Sequence, residues 1–176
     1  MRKIFYLLSI SLFLFASCQL EMTEQESLNK LRKDFWKDKK NESNMKLATE
    51  LDSAYKAYMD NNPTDTSNPE YMFENAKLHL TALKNTDVAV DILESLYKKY
   101  PQSPRAPEAM YQRGFLLENE LQLPDNARKQ YQMLIDKYPE HPFAKEAQIT
   151  IKYVGKDPEE MLKAITDSSA KFETQK

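Results

Sequence analysis

The sequence predicts an all-α protein, an α-solenoid of about three helix hairpins on a 38-residue period, closed by a C-terminal capping helix. Three observations carry this. Only two glycines occur in 176 residues, against a background rich in the helix formers Leu, Lys, Glu, Ala and Met. Pro63, Pro101 and Pro139 recur 38 residues apart, and other positions recur with them. Between those prolines, apolar residues return at helical spacing.

The first residues differ from the rest. Arg2 and Lys3 make a positive start, and Ile4 to Ala16, "IFYLLSISLFLFA", is an apolar run of 13 residues. Spanning a bilayer as a helix takes about 20. A charged start, a short apolar middle and small residues at a cut have the proportions of a secretory signal. A buried core helix is the alternative, but the run has no polar face. The stretch "FASC", Phe15 to Cys18, resembles the bacterial lipoprotein signal, with Phe15 where that family prefers Leu. The resemblance implies a signal peptide over 1–17 and lipid attachment at Cys18, through a diacylglyceryl group and a further acyl chain such as palmitate. Two or more chains anchor firmly where one binds only marginally. It also implies a cell-envelope location. Gln19, in place of the aspartate that retains such proteins at the inner membrane, points to the outer membrane; the periplasmic face is expected, and which leaflet holds the protein stays open.

Residues 18–29 are expected to be a flexible leash, followed by a helical body over 30–170 and a disordered tail over 171–176. Thr23 and Glu26 have the spacing of a capping box, and Leu28, Leu31 and Phe35 share one face of a first helix. Phe35 and Trp36 are adjacent, so they cannot share a narrow stripe. One is expected in the core; the other covers the end of the stack or meets a membrane or partner. Residues 37–44, "KDKKNESN", read as a loop.

The repeat follows. The offset of 38 pairs Pro69 with Pro107, Glu70 with Glu108, Ala76 with Gly114, Ala89 with Ala127, Leu93 with Tyr131 and Tyr100 with Tyr138. In the unit from Arg105 to Tyr138, Ala109, Met110, Gly114 and Leu117 share one helical face. "QLPDNA" interrupts it, with Asp125 expected as the next N-cap. Ala127, Tyr131, Leu134, Ile135 and Tyr138 then form a second stripe. Pro139 ends that helix and Pro142 begins the next. Tyr100 and Tyr138 are expected to cover the joints between units. The small residue Gly114, then Ala127, Tyr131, Leu134 and Pro139 resemble the tetratricopeptide repeat, over roughly Met45 to Tyr153. The longer unit, with its Tyr-Pro-x-x-Pro connector, resembles the repeats of outer-membrane lipoproteins in the β-barrel assembly machine and the repeat domain of the Tol-Pal coordination protein. After "AKEAQITIKYV", Gly155 is placed to end a helix in a left-handed cap. "DPEE" then starts a capping helix with Met161, Leu162 and Ile165.

The composition excludes much chemistry. Two glycines cannot build a phosphate- or dinucleotide-binding loop or a Gly-x-Ser-x-Gly elbow. Without Arg2 and Lys3, 23 of the 25 Lys and Arg residues remain against 27 Asp and Glu, a formal charge of −4, so nucleic acid is not expected as a partner. His79, on a helix, reads as a partly buried or groove histidine, and His141, between two prolines, as exposed. No cofactor, metal site or catalytic group is expected. The tetratricopeptide resemblance implies that the first helix of each hairpin lines a concave face. In that register Glu70, Phe73, Lys77 and Leu80, then Glu108, Tyr111, Phe115 and Glu118, point into a groove; Phe73, Tyr111 and Phe115 have packing inside the stack as their alternative. The expected function is a non-catalytic, lipid-anchored adaptor that docks a segment of an outer-membrane or periplasmic protein. Outer-membrane protein assembly is the leading role. Envelope–wall coordination of the Tol-Pal type and surface solute binding are the alternatives.

Overall fold

The 38-residue spacing returns as repeated backbone geometry. Asn62, Tyr100 and Tyr138 close three helices with φ of −125°, −126° and −134° and ψ of 59°, 60° and 54°. Each donates its backbone N–H to the carbonyl four residues back, and each is followed by a proline. A residue before proline is pushed out of the α region, so all three prolines hold the same position, the first step beyond a helix end. The chain then turns through backbone hydrogen bonds from Asp65 to Asn62, Ser103 to Tyr100 and His141 to Tyr138, at 3.1, 3.0 and 2.9 Å.

The computed structural model describes residues 22–37, 40, 44–157 and 159. These form seven α-helices: α1 (Glu24–Lys37), α2 (Met45–Asn61), α3 (Asn68–Thr81), α4 (Thr86–Lys99), α5 (Arg105–Asn119), α6 (Pro124–Lys137) and α7 (Pro142–Thr150). Consecutive helices pack together, giving hairpins α1/α2, α3/α4 and α5/α6, with α7 opening a further unit. The first helices also meet, α3 on α5 and α5 on α7, so they share one face. This is an α-solenoid of tetratricopeptide type. Cys18, residues 1–17, the capping helix with Met161, Leu162 and Ile165, and the tail 171–176 lie outside the described residues.

Each helix start has a local cause. The Thr23 Oγ1 accepts the Glu26 N–H at 3.2 Å and the Glu26 carboxylate accepts the Thr23 N–H at 2.8 Å, a reciprocal capping box. It starts α1 at Glu24 and buries Leu28, so residues 24–29, expected in the leash, are helical. Asn44 and Asn85 cap α2 and α4 through side-chain oxygens. One repeat after Asn85 stands Leu123, and it, not Asp125, is the N-cap of α6. Pro124 fills the first helical position, so Asp125 lies inside the first turn, where its charge meets the positive helix end.

Two apolar clusters share α3. Phe35, Leu51, Tyr55 and Tyr58 form the first with Tyr71 and Leu78 of α3 and its C-cap Ala82. Met72 and Ala76 of α3 belong to the second, with Leu93, Leu96, Met110, Tyr131 and Leu134. Phe35 is the buried member of its pair; Trp36 is half-buried under the Lys77 ammonium, 4.6 Å from its ring. At Gly114 a Cβ would lie 2.6 Å from the Tyr131 ring, so α5 and α6 approach this closely because glycine stands there.

The end of α7 departs from expectation. The helix stops at Thr150, and residues 151–154 form turns before Gly155, at φ +70°, takes the left-handed conformation. Ile149, Thr150 and Ile151 are β-branched, which disfavours another helical turn. Arg128 of α6 donates to the carbonyl of Val154 at 3.0 Å, and Val154 is buried.

Candidate functional site

The shared face of α1, α3, α5 and α7 shows the repeat as rows. One row holds Arg32, Glu70, Glu108 and Glu146; the next holds Phe35, Phe73, Tyr111 and Ile149. Polar bonds join one helix to the next across these rows. The Arg32 guanidinium donates to both oxygens of Glu74, at 2.7 and 2.5 Å, and the Tyr55 hydroxyl donates to the same carboxylate. Burial alone would raise the Glu74 carboxyl, but the bonds from Arg32 and Tyr55 outweigh it and hold it below its ordinary value.

Arg105 does the equivalent work between α3 and α5. Its Nε and Nη2 donate to Glu70 at 2.6 and 2.8 Å, its Nη1 donates to Glu108 at 2.5 Å, and it lies 4.7 Å from the centre of the Phe73 ring. Three of the eight groove candidates, Glu70, Phe73 and Glu108, are thus gathered around one cation. Lys77 is drawn away, onto Trp36.

The remaining candidates lie further along. Leu80, Glu108, Tyr111 and Phe115 line an open cleft of about 350 Å³, with Gln112, Leu116 and Phe143. Phe115 is 49% exposed, whereas Phe73 and Tyr111 are half-buried. Tyr111 is held on three sides: its hydroxyl donates to Glu146 at 2.8 Å, and its ring lies 5.4 Å from Phe143 and 5.6 Å from Tyr131. Burial, with the bond to Glu146, pushes its phenol up. Glu118 accepts the Gly155 N–H at 3.4 Å. The eight residues therefore divide into a group clasped by Arg105, Lys77 set apart on Trp36, Leu80, Tyr111 and Phe115 in the cleft, and Glu118 on Gly155.

Sequence reasoning left out Arg105, Gln112, Phe143 and Glu146. The period itself could have found two of them. Glu146 is one repeat after Glu108, and Phe143 is one repeat after Arg105; each of the latter two covers the aromatic residue of the preceding helix. Of the histidines, His141, expected to be exposed, is half-buried, while His79 lies on the buried side of its expectation. His79 is buried, with Nε2 3.1 Å from the Asp52 carboxylate. His141 is not free: its Nδ1 accepts the Phe143 N–H at 3.3 Å as the cap of α7, and its ring stacks on Phe143. Among the described residues no group of His, Cys, Asp and Glu could hold a metal ion, and no helix is long and apolar enough to cross a membrane.

The fold and this face define a class, a helical repeat scaffold. The tetratricopeptide repeat matches residues 72–103 and 108–141, the units built on α3/α4 and α5/α6. No curated protein matches the chain. Such repeats mediate the binding of protein partners and are typically non-catalytic scaffolds, and that is the level of function the match supports.

Proposed function

We propose that the protein is a lipid-anchored adaptor of the cell envelope that holds a segment of another envelope protein against its first-helix face, with no reaction of its own. The single observation that carries the adaptor reading is the cleft under Phe115. A large aromatic residue is 49% exposed there, beside apolar and carboxylate side chains on helices fixed by interhelix bonds. Rigid aromatic area with flanking polar groups is what a docking surface needs. The anchor rests on the positive start, the apolar run and "FASC", with the lipid on Cys18. The 38-residue unit and its Tyr-Pro-x-x-Pro connector resemble both families; outer-membrane protein assembly, on the periplasmic face, is the leading role, and Tol-Pal-type coordination is the alternative.

The test is crosslinking in intact cells with the native anchor. A photoreactive residue at Phe115 is expected to capture a membrane barrel protein or a periplasmic protein, and Cys18→Ser is expected to abolish lipid labelling and release the protein from the membrane fraction. Failure to capture any protein at position 115 would remove the adaptor reading.

A further inference from the structure

Beside the cleft, outside its lining, stand two carboxylates, Glu118 and Glu146, the second bonded to the cleft residue Tyr111. The three cations of α5 and α7 are engaged: Arg105 by Glu70 and Glu108, Arg113 by Glu94 and Gln130, Lys145 by Glu140. Glu118 and Glu146 carry no ion pair among the described residues; one accepts a backbone N–H, the other the Tyr111 hydroxyl. Glu118 stands three residues beyond Phe115, on the same side of α5. A separate feature meets this corner. The Tyr131 hydroxyl is buried, lacks a hydrogen-bond partner, and lies within electrostatic reach of Glu118, Tyr111 and Glu146. A buried hydroxyl without a partner is costly.

Resting on the adaptor reading, we infer that the cleft takes a basic, amphipathic segment of a partner protein, with a lysine or arginine between Glu118 and Glu146 and a neighbouring apolar side chain against Phe115, Leu80 and Phe143. An acidic segment would meet two carboxylates that carry no direct ion pair; the Arg128 guanidinium beside Gly155 is turned onto the carbonyls of Ile151 and Val154. A lipid surface is disfavoured on the same ground, because anionic headgroups are repelled by that rim. The segment supplies what the corner lacks, a positive charge with several donors. Its apolar side chain removes the exposed Phe115 edge from water.

The test uses the full chain carrying Cys18→Ser, in buffer without detergent, and two fluorescent peptides, AKLFKAKFLA and its acidic counterpart AELFEAEFLA. Anisotropy is expected to show saturable binding of the basic peptide alone, weakening as salt is raised. Phe115→Ala is expected to weaken it by about tenfold, as loss of an aromatic anchor does. The pair Glu118→Gln/Glu146→Gln is expected to cost about tenfold as well, the sum of two partly screened ion pairs. Unchanged melting temperatures in these variants keep the comparison free of unfolding. Equal binding of both peptides, binding that survives all three substitutions, or binding of neither overturns the inference. Crosslinking from position 115 in cells separates this failure from that of the adaptor reading. Capture of a second copy, or of a protein with no basic segment at the crosslink, overturns the basic-segment assignment and leaves an interaction surface. Capture of nothing removes both.

Discussion

The Tyr138 hydroxyl donates to the carbonyl of Pro101 at 2.7 Å, joining two successive connectors, whereas the hydroxyl of Tyr100, its counterpart one repeat earlier, is buried with no hydrogen-bond partner. The two tyrosines share backbone geometry, and a lysine ammonium lies near each ring, Lys99 at 5.4 Å and Lys137 at 5.6 Å. The hydroxyls differ. Tyr138→Phe is therefore expected to cost about 1 kcal/mol, the net worth of an ordinary hydrogen bond. Tyr100→Phe, which removes an unsatisfied group, is expected to be neutral or slightly stabilising. Urea unfolding of the two variants checks this, and equal losses would contradict the assigned difference between the joints.

Gly114 and Tyr131 form a complementary pair. In the preceding unit the same positions hold Ala76 and Leu93, a larger residue on the first helix and a smaller one on the second, both buried. Gly114→Ala gains up to about 1 kcal/mol of helix propensity, but its Cβ meets the Tyr131 ring at 2.6 Å. Overpacking of that kind costs about 1–3 kcal/mol, so the single variant is expected to be destabilised. In a Tyr131→Leu background the clash is gone and Gly114→Ala should stabilise. A double-mutant cycle reads the reversal of sign directly.

The repeat and its two helices per unit were legible in the sequence because they rest on local rules. Proline stops a helix wherever it stands, and apolar spacing marks the buried stripe without reference to the rest of the chain. The N-cap of α6 was misplaced because aspartate is a better cap than leucine in isolation, while Pro124 decided the register. Within the candidate face, the register carried over from the repeat resemblance at Gly114 placed Tyr111 and Phe115 on one side of α5, and both line the cleft, because that part depends on a single helix. The contacts of Arg105 and Lys77 were not legible. Each depends on which neighbour lies within reach, a property of helix-to-helix packing that no single helix encodes. Glu146 and Phe143 lay between these cases, available from the period had it been extended into α7.

Lys84 and Gln122, again 38 residues apart, have φ of 51° and 55°, the left-handed conformation that side chains disfavour. Each lies in the turn between the two helices of its hairpin, where the chain must reverse within a few residues. Glycine adopts this geometry without the steric penalty but loses more chain entropy on folding. Lys84→Gly is expected to stabilise by up to about 1 kcal/mol. Gln122→Gly is expected to gain less, because the Gln122 side chain donates to the Asn119 carbonyl at 3.0 Å. Thermal melts of the two variants test the order. A loss at Lys84 would mean that the turn does not carry the strain its backbone implies.

The link from α1 to the rest of the stack should depend on pH in one direction. Burial works to raise the Glu74 carboxyl, but the bonds from Arg32 and Tyr55 prevail, so its folded-state value lies below the ordinary 4.5. The unfolded chain then binds more protons than the folded one in the interval between the two values, and stability falls as pH falls through it. The contribution is fully present above 4.5 and is lost as the folded carboxyl takes up its proton. Glu74→Gln keeps the shape and removes the titration. The variant is expected to be less stable than the wild type at neutral pH, with the difference shrinking as the solution is acidified past the ordinary carboxylate range. Because Glu74 joins α1 and α2 to α3, the loss should be concentrated in the first hairpin. Hydrogen exchange across pH reads this: amides of α1 should lose protection before those of α5 and α6. Uniform loss over all the helices would show that the Arg32–Glu74–Tyr55 contact does not set the stability of that end.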